Sequence, residues 1–99
     1  MYNIVMKSAG QQELFTIRYT KRAAHDLGKL DRQVESRIVS AISTLKHNPR
    51  PRGSRKLVNF SEYRIRVGRW RVVYIIDDAD KLITVAHIDP RGHDYRSVK

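Results

Sequence analysis

The chain predicts an α+β domain in which two N-terminal helices pack on one face of a twisted, mainly antiparallel sheet of four to five strands. Three observations predict it. One period-2 segment opens the ordered region, two segments with a 3.6-residue apolar repeat follow, and every signal from Lys56 onward is strand. At 99 residues the chain is long enough for one core and too short for a second catalytic domain. Residues 1–12, which contain a Ser-Ala-Gly-Gln-Gln break, read as a tail, and residues 13–99 as a single domain. No internal repeat or low-complexity segment is present.

The first firm strand is Leu14 to Tyr19, where alternation sets Phe15, Ile17 and Tyr19 on one face. Thr20 is placed to cap a short helix carrying Ala23, Ala24, Leu27 and Leu30, with Gly28 weakening its end. Asp31 is placed to cap the next helix, whose stripe is Val34, Ile38, Ala41, Ile42 and Leu45. This helix must stop near His47-Asn48, because Pro49 disfavours helical geometry in the residue before it and Pro51 follows at once. A basic loop from Arg50 to Arg55 leads to a strand over Lys56 to Phe60. The last strand, Lys81 to Ile88, follows an Asp77-Asp78-Ala79-Asp80 turn and is broken by Asp89-Pro90.

Between these lies the most informative run, Tyr63-Arg64-Ile65-Arg66-Val67-Gly68-Arg69-Trp70-Arg71-Val72-Val73-Tyr74. Two period-2 strands meeting at Gly68-Arg69 form a hairpin, with glycine supplying the positive φ of the first central position of a type II′ turn. A two-residue loop fixes the register: Val67 opposite Trp70, Arg66 opposite Arg71, Ile65 opposite Val72, Arg64 opposite Val73, Tyr63 opposite Tyr74. Cross-strand partners share a face, so Arg64, Arg66 and Arg71 lie on one side and the apolar and aromatic residues, Trp70 among them, on the other. Directly opposed arginines repel and cannot shed their protons, so the pattern calls for an anion on that side.

Composition supports an anionic partner. Twenty basic against ten acidic residues give a net charge of +10, which suits nucleic acid, anionic lipid or an acidic protein without choosing among them. The absence of cysteine excludes disulfides and thiolate metal sites. His25, His47, His87 and His93 have no metal-ligand spacing, so neither a metal nor a cofactor is expected, and His87 at a strand end reads as structural. No apolar run approaches the roughly 18 residues of a membrane span, and the expectation is a soluble cytoplasmic protein without a membrane role.

Three segments resemble the RelE/ParE superfamily of bacterial and archaeal toxins, over roughly residues 14–96. They are Phe15 to Leu27, where the first strand enters the first helix; Tyr63 to Tyr74; and Ile88-Asp89-Pro90-Arg91-Gly92-His93-Asp94-Tyr95-Arg96, which is similar to the family's closing His-Arg-x-x-x-Tyr-Arg. The resemblance to the RelE branch implies a ribosome-dependent endoribonuclease that cuts mRNA in the ribosomal A site. It also implies a cognate antitoxin, with toxin and antitoxin forming a hetero-oligomer. Carried over by position, Arg64, Arg66, Arg71, Arg91 and Tyr95 form the active surface. This sequence departs from the family in having arginine where lysine is frequent at positions 64 and 66, and Pro90 where histidine usually precedes the arginine.

RNA cleavage through its own 2′-OH needs a base, charge stabilisation at phosphorus and an acid for the 5′-oxygen. Arginine's planar fork suits the phosphate, and its pKa above 12 makes it a poor base. Arg66 and Arg71 are therefore assigned to the scissile phosphate with Arg64 beside them, Arg91 to charge stabilisation or proton delivery near the leaving group and Tyr95 to base stacking or positioning of the 2′-OH. His93 is the candidate general base. The run Arg50, Arg52, Arg55 and Lys56 is the candidate contact to 16S rRNA phosphates. Two alternatives stay open: a ParE-like DNA gyrase inhibitor that cleaves nothing, and a non-catalytic RNA-binding module.

Overall fold

In a computed structural model, which describes residues 14–57 and 61–90, the element order is β1 (Thr16–Tyr19), α1 (Lys21–Gly28), α2 (Arg32–Thr44), β2 (Arg55–Lys56), β3 (Tyr63–Val67), β4 (Trp70–Asp77) and β5 (Leu82–Pro90). The predicted tail over residues 1–12, the end of the predicted strand at 58–60, and Arg91, His93 and Tyr95 lie outside the described residues. The five strands run in the order β1-β5-β4-β3-β2, with β1 parallel to β5 and the other pairs antiparallel.

Local chemistry sets the helix limits. The Thr20 hydroxyl accepts the Ala23 N–H at 3.0 Å, the expected N-cap bond, and donates to the Ala86 carbonyl at 2.7 Å, tying the start of α1 to β5. Asp31 stands at the N-cap position of α2, but its side chain makes no cap bond; its backbone carbonyl accepts Glu35 N–H at 2.8 Å. Beyond Thr44 the chain tightens through N–H bonds from Leu45, Lys46 and His47 to carbonyls three residues back, then meets Pro49. No helix among the described residues is long and apolar enough to cross a membrane.

Both helices bury their apolar stripes on the same sheet face. Ala23, Ile38, Ile42 and Leu45 close over Ile65, Val72, Tyr74, Ile83, Val85 and Ile88, with Phe15 completing the core. Tyr74 is fully buried and satisfies its hydroxyl by donating to the Pro49 carbonyl at 2.7 Å, which anchors the loop after α2 to the middle of β4. Burial pushes the Tyr74 phenol up to about 12 from 10.0. The unfolded chain therefore gives up this proton first, so its contribution to stability is complete below about pH 10 and declines from there to about pH 12. A denaturation series in alkali should show this loss, and Tyr74→Phe should remove that component while costing about 1–3 kcal/mol at neutral pH.

The hairpin register is the one the sequence predicts, from Val67 opposite Trp70 to Tyr63 opposite Tyr74. Gly68 has φ +61 and Arg69 is not in the left-handed region, as a type II′ turn requires. A Cβ on Gly68 would also come within 2.9 Å of the Arg37 guanidinium from α2. Gly68→Ala should cost about 1–2 kcal/mol, read as a lower urea midpoint at unchanged slope.

Two features of β5 differ from the sequence expectation. The strand continues through Asp89 to Pro90 instead of stopping at Ile88, and Pro90 closes it opposite Trp70, a position at the strand's end where a missing N–H is tolerated. A bulge also interrupts the β4–β5 ladder: Tyr74 pairs with Val85 and Val73 with His87, leaving Ala86 as the extra residue. Without it, alternation from Ile83 and Val85 would direct His87 into the core. With it, Ile88 enters the core and His87 and Asp89 turn to the opposite face.

Candidate nucleic-acid interface

The face opposite the helices is built from the polar positions of the strands. Register places Arg66, Arg71 and Asp89 in one row across β3, β4 and β5, and Arg55, Arg64, Val73 and His87 in the next, across β2 to β5. The arginines predicted to share one side of the hairpin do share it, but in different states. Arg66 is exposed, whereas Arg64 and Arg71 retain only 7% and 3% exposure.

Each buried guanidinium is engaged by the chain itself. Arg64 donates to the Gly53 carbonyl at 3.2 Å, and Arg71 lies 3.9 Å from the Asp89 carboxylate. Arg22, reaching from α1, approaches the other Asp89 oxygen at 3.3 Å, and His87 Nδ1 bonds to Asp89 Oδ2. Part of the anion that the opposed arginines call for is thus internal. Asp89 offsets the charge of Arg71 next to Arg66, a role hidden in sequence because Asp89-Pro90 reads as a strand break.

Arg52, Gly53, Arg55, Arg64, Ile65 and Arg66 line one open cleft of about 360 Å³. Its walls combine two groups that sequence separates, the arginines of the basic loop and those of the hairpin. They meet because β2 pairs with the start of β3, setting Arg55 opposite Arg64. Four guanidiniums around one cleft can bind consecutive phosphates through paired N–H donors.

Arg50, predicted to work with this run, is held elsewhere. Its guanidinium forms a two-pronged pair with Asp78 at 2.9 and 3.2 Å and donates to the Tyr63 hydroxyl at 3.1 Å. These bonds raise the Arg50 pKa above its ordinary value and lower that of Asp78. Arg50 thereby fastens the loop to the β4–β5 turn. Lys56 is exposed at the sheet edge and does not line the cleft, and Trp70 is packed against the core as its place in the alternation predicts.

The two-helix layer on a five-stranded sheet, with an arginine-lined cleft on the opposite face, places this chain among small α+β proteins with a cationic sheet face, and its fold matches solved RelE-type structures. The chain superposes on the toxin fold of the archaeal RelE–RelB complex from Pyrococcus horikoshii with a TM-score of 0.72 and 27% identity, covering 80% of this chain and 97% of that one. The RelBE2 toxin–antitoxin complex of Mycobacterium tuberculosis gives 0.70 and 28%, covering 79% and 99%. A relative named RelE1 from Methanocaldococcus jannaschii is 31% identical over 87 residues, which span 84% of this chain and 97% of the relative. Residues 17–95 match the family described as the ParE toxin of the type II toxin–antitoxin system parDE. The chain belongs to this family, within the RelE/ParE superfamily of type II toxins.

Proposed function

We propose that this toxin is a ribosome-dependent endoribonuclease that cuts mRNA in the A site and so inhibits translation. The observation that carries the proposal is the cleft lined by Arg52, Arg55, Arg64 and Arg66, a site built to hold a polyanionic backbone. Structural neighbours at 27% and 28% identity that come from RelE–RelB and RelBE2 complexes support the RelE-like reading. In this reading the reaction is attack of the message's own 2′-OH on the adjacent phosphorus, with no metal or cofactor. Arg66 and Arg64 neutralise the phosphate, Arg71 supports it from beneath through its pair with Asp89, and Arg52 and Arg55 hold 16S rRNA or flanking message. Arg91 stabilises charge near the leaving group, Tyr95 stacks on or positions the nucleotide, and His93 is the candidate general base carried over from the sequence.

The proposed partners are the ribosome, mRNA and a cognate antitoxin, and the proposed compartment is the cytoplasm, where ribosomes work. An acidic or amphipathic antitoxin segment would silence the toxin by covering the cationic face in a hetero-oligomer. The description of the matched family names a ParE toxin, which favours gyrase inhibition as the second reading. Brief expression followed by mapping of mRNA 5′ ends separates the two. Cuts within translated codons and none in untranslated message are expected; intact message with arrested replication would replace the nuclease reading by the gyrase one.

A further inference from the structure

We propose that His87, oriented by Asp89, is the proton-transfer group of this face, taking the 2′-OH proton during RNA cleavage. The inference rests on the nuclease reading above and supplies the base that arginines cannot. Three observations bring it forward. The bulge at Ala86 re-aims His87 from the core to the arginine face, and it is held in place by the Thr20 hydroxyl, which donates to the Ala86 carbonyl at 2.7 Å. Bulges recur beside active sites because they re-aim side chains in this way. Second, His87 lies outside the lining of the arginine cleft but on the same face, in the row of Arg64 with only Val73 between them, so two strand spacings of about 4.8 Å separate the two backbones.

Third, the imidazole is prepared for one role. Its Nδ1 bonds to Asp89 Oδ2, and the His87 side chain keeps 23% exposure. A carboxylate receiving Nδ1–H fixes the tautomer in which Nε2 carries the lone pair and can accept a proton. Asp89 is itself gripped by Arg71 and Arg22, at 3.9 and 3.3 Å. Among the described residues, the charged groups that share an ion pair, a cleft or a register row with the dyad are Arg22 and Asp26 from α1, Lys29 at its end, Arg55 from β2, Arg64 and Arg66 from β3, and Arg71 from β4. Asp26 is directed to the backbone, where it accepts the Ile88 N–H at 3.0 Å.

In the proposed step Nε2 removes the 2′-OH proton as the 2′-oxygen bonds to phosphorus. The bond from phosphorus to the 5′-oxygen breaks, its electron pair leaves with that oxygen, and water protonates it. The imidazolium then returns its proton to water. The products are a 2′,3′-cyclic phosphate and a 5′-hydroxyl, and no redox partner or metal is consumed. His87 touches the reacting hydroxyl and is catalytic in this scheme; Asp89 acts through it as a positioning residue.

Single-turnover cleavage on programmed ribosomes, from about pH 5.5 to about pH 8.5, tests this. The wild-type rate should rise with pH and level off above the imidazole range. His87→Ala should lose about 10²-fold or more, lose that rise, bind ribosomes with unchanged affinity and regain activity with added imidazole. Asp89→Asn should lower the maximal single-turnover rate without changing the ribosome concentration that gives half of it, with a thermal melt run alongside to separate this from lost stability. A His87→Ala protein with the wild-type rate and pH profile would overturn the proposal and leave the nuclease reading standing. A wild-type maximal rate in folded Asp89→Asn would remove Asp89 from it. Wild-type protein that cuts no message would overturn both.

Discussion

Arg66→Ala is expected to slow cleavage of ribosome-bound message by about 10²- to 10³-fold, the loss that follows removal of one donor to a developing oxyanion. Its stability should change by no more than about 0.5 kcal/mol, because Arg66 is exposed and its neighbour across the hairpin is another arginine. Removing it relieves a like-charge pair instead of breaking a favourable one. Arg66→Lys keeps the charge and loses the fork, so it should recover only part of the rate. Rates measured beside thermal melts of the same preparations check both halves. A folded Arg66→Ala protein with the wild-type rate would take Arg66 out of the site.

Asp89→Ala should behave in the opposite manner and lose stability before anything else. Its carboxylate lies within 4 Å of two guanidiniums, at 3.9 Å from Arg71 and 3.3 Å from Arg22, and Arg71 is 3% exposed. Deleting one member of a buried pair leaves the other charge poorly compensated, at a cost of about 3 kcal/mol or more. For a domain of this size such a loss lowers the melting temperature by well over about 10 °C. Arg71→Ala should be destabilising as well, so its effect on toxicity cannot be read as a phosphate contact alone. The Asp89→Ala/Arg71→Ala double variant should lose less than the sum of the two single changes. Additive losses in chemical denaturation would show that the pair is not energetically coupled.

Much of this was legible along the chain. The two helices follow from stripes at 3.6-residue spacing, Thr20 from its position before the first stripe, and the end of α2 from Pro49 and Pro51. The hairpin was readable to the residue, because a two-residue turn with glycine at its first position leaves one register and the register assigns every side chain to a face. The state of the arginines was not legible. Periodicity tells which face a side chain occupies and says nothing of what else occupies it, so Arg64 and Arg71 looked as exposed as Arg66. Their burial depends on Gly53 and Asp89, which lie 11 and 18 residues away in the chain. Arg50 similarly reads as one more basic loop residue until Asp78 and Tyr63 meet it through the fold.

By itself the sequence determined the architecture, the cationic face and the family pattern, since these rest on local periodicity, turn chemistry and charge. Only the tertiary structure decided which cations line an open cleft and where His87 points. The physical reason is the single extra residue at Ala86. In a strand of period 2, one inserted residue exchanges the two faces for everything beyond it. That exchange carries Ile88 into the core and sets His87 and Asp89 among the arginines. The bulge is held from outside its own strand, by the hydroxyl of Thr20 66 residues earlier, and no local reading of Leu82 to Pro90 contains that bond.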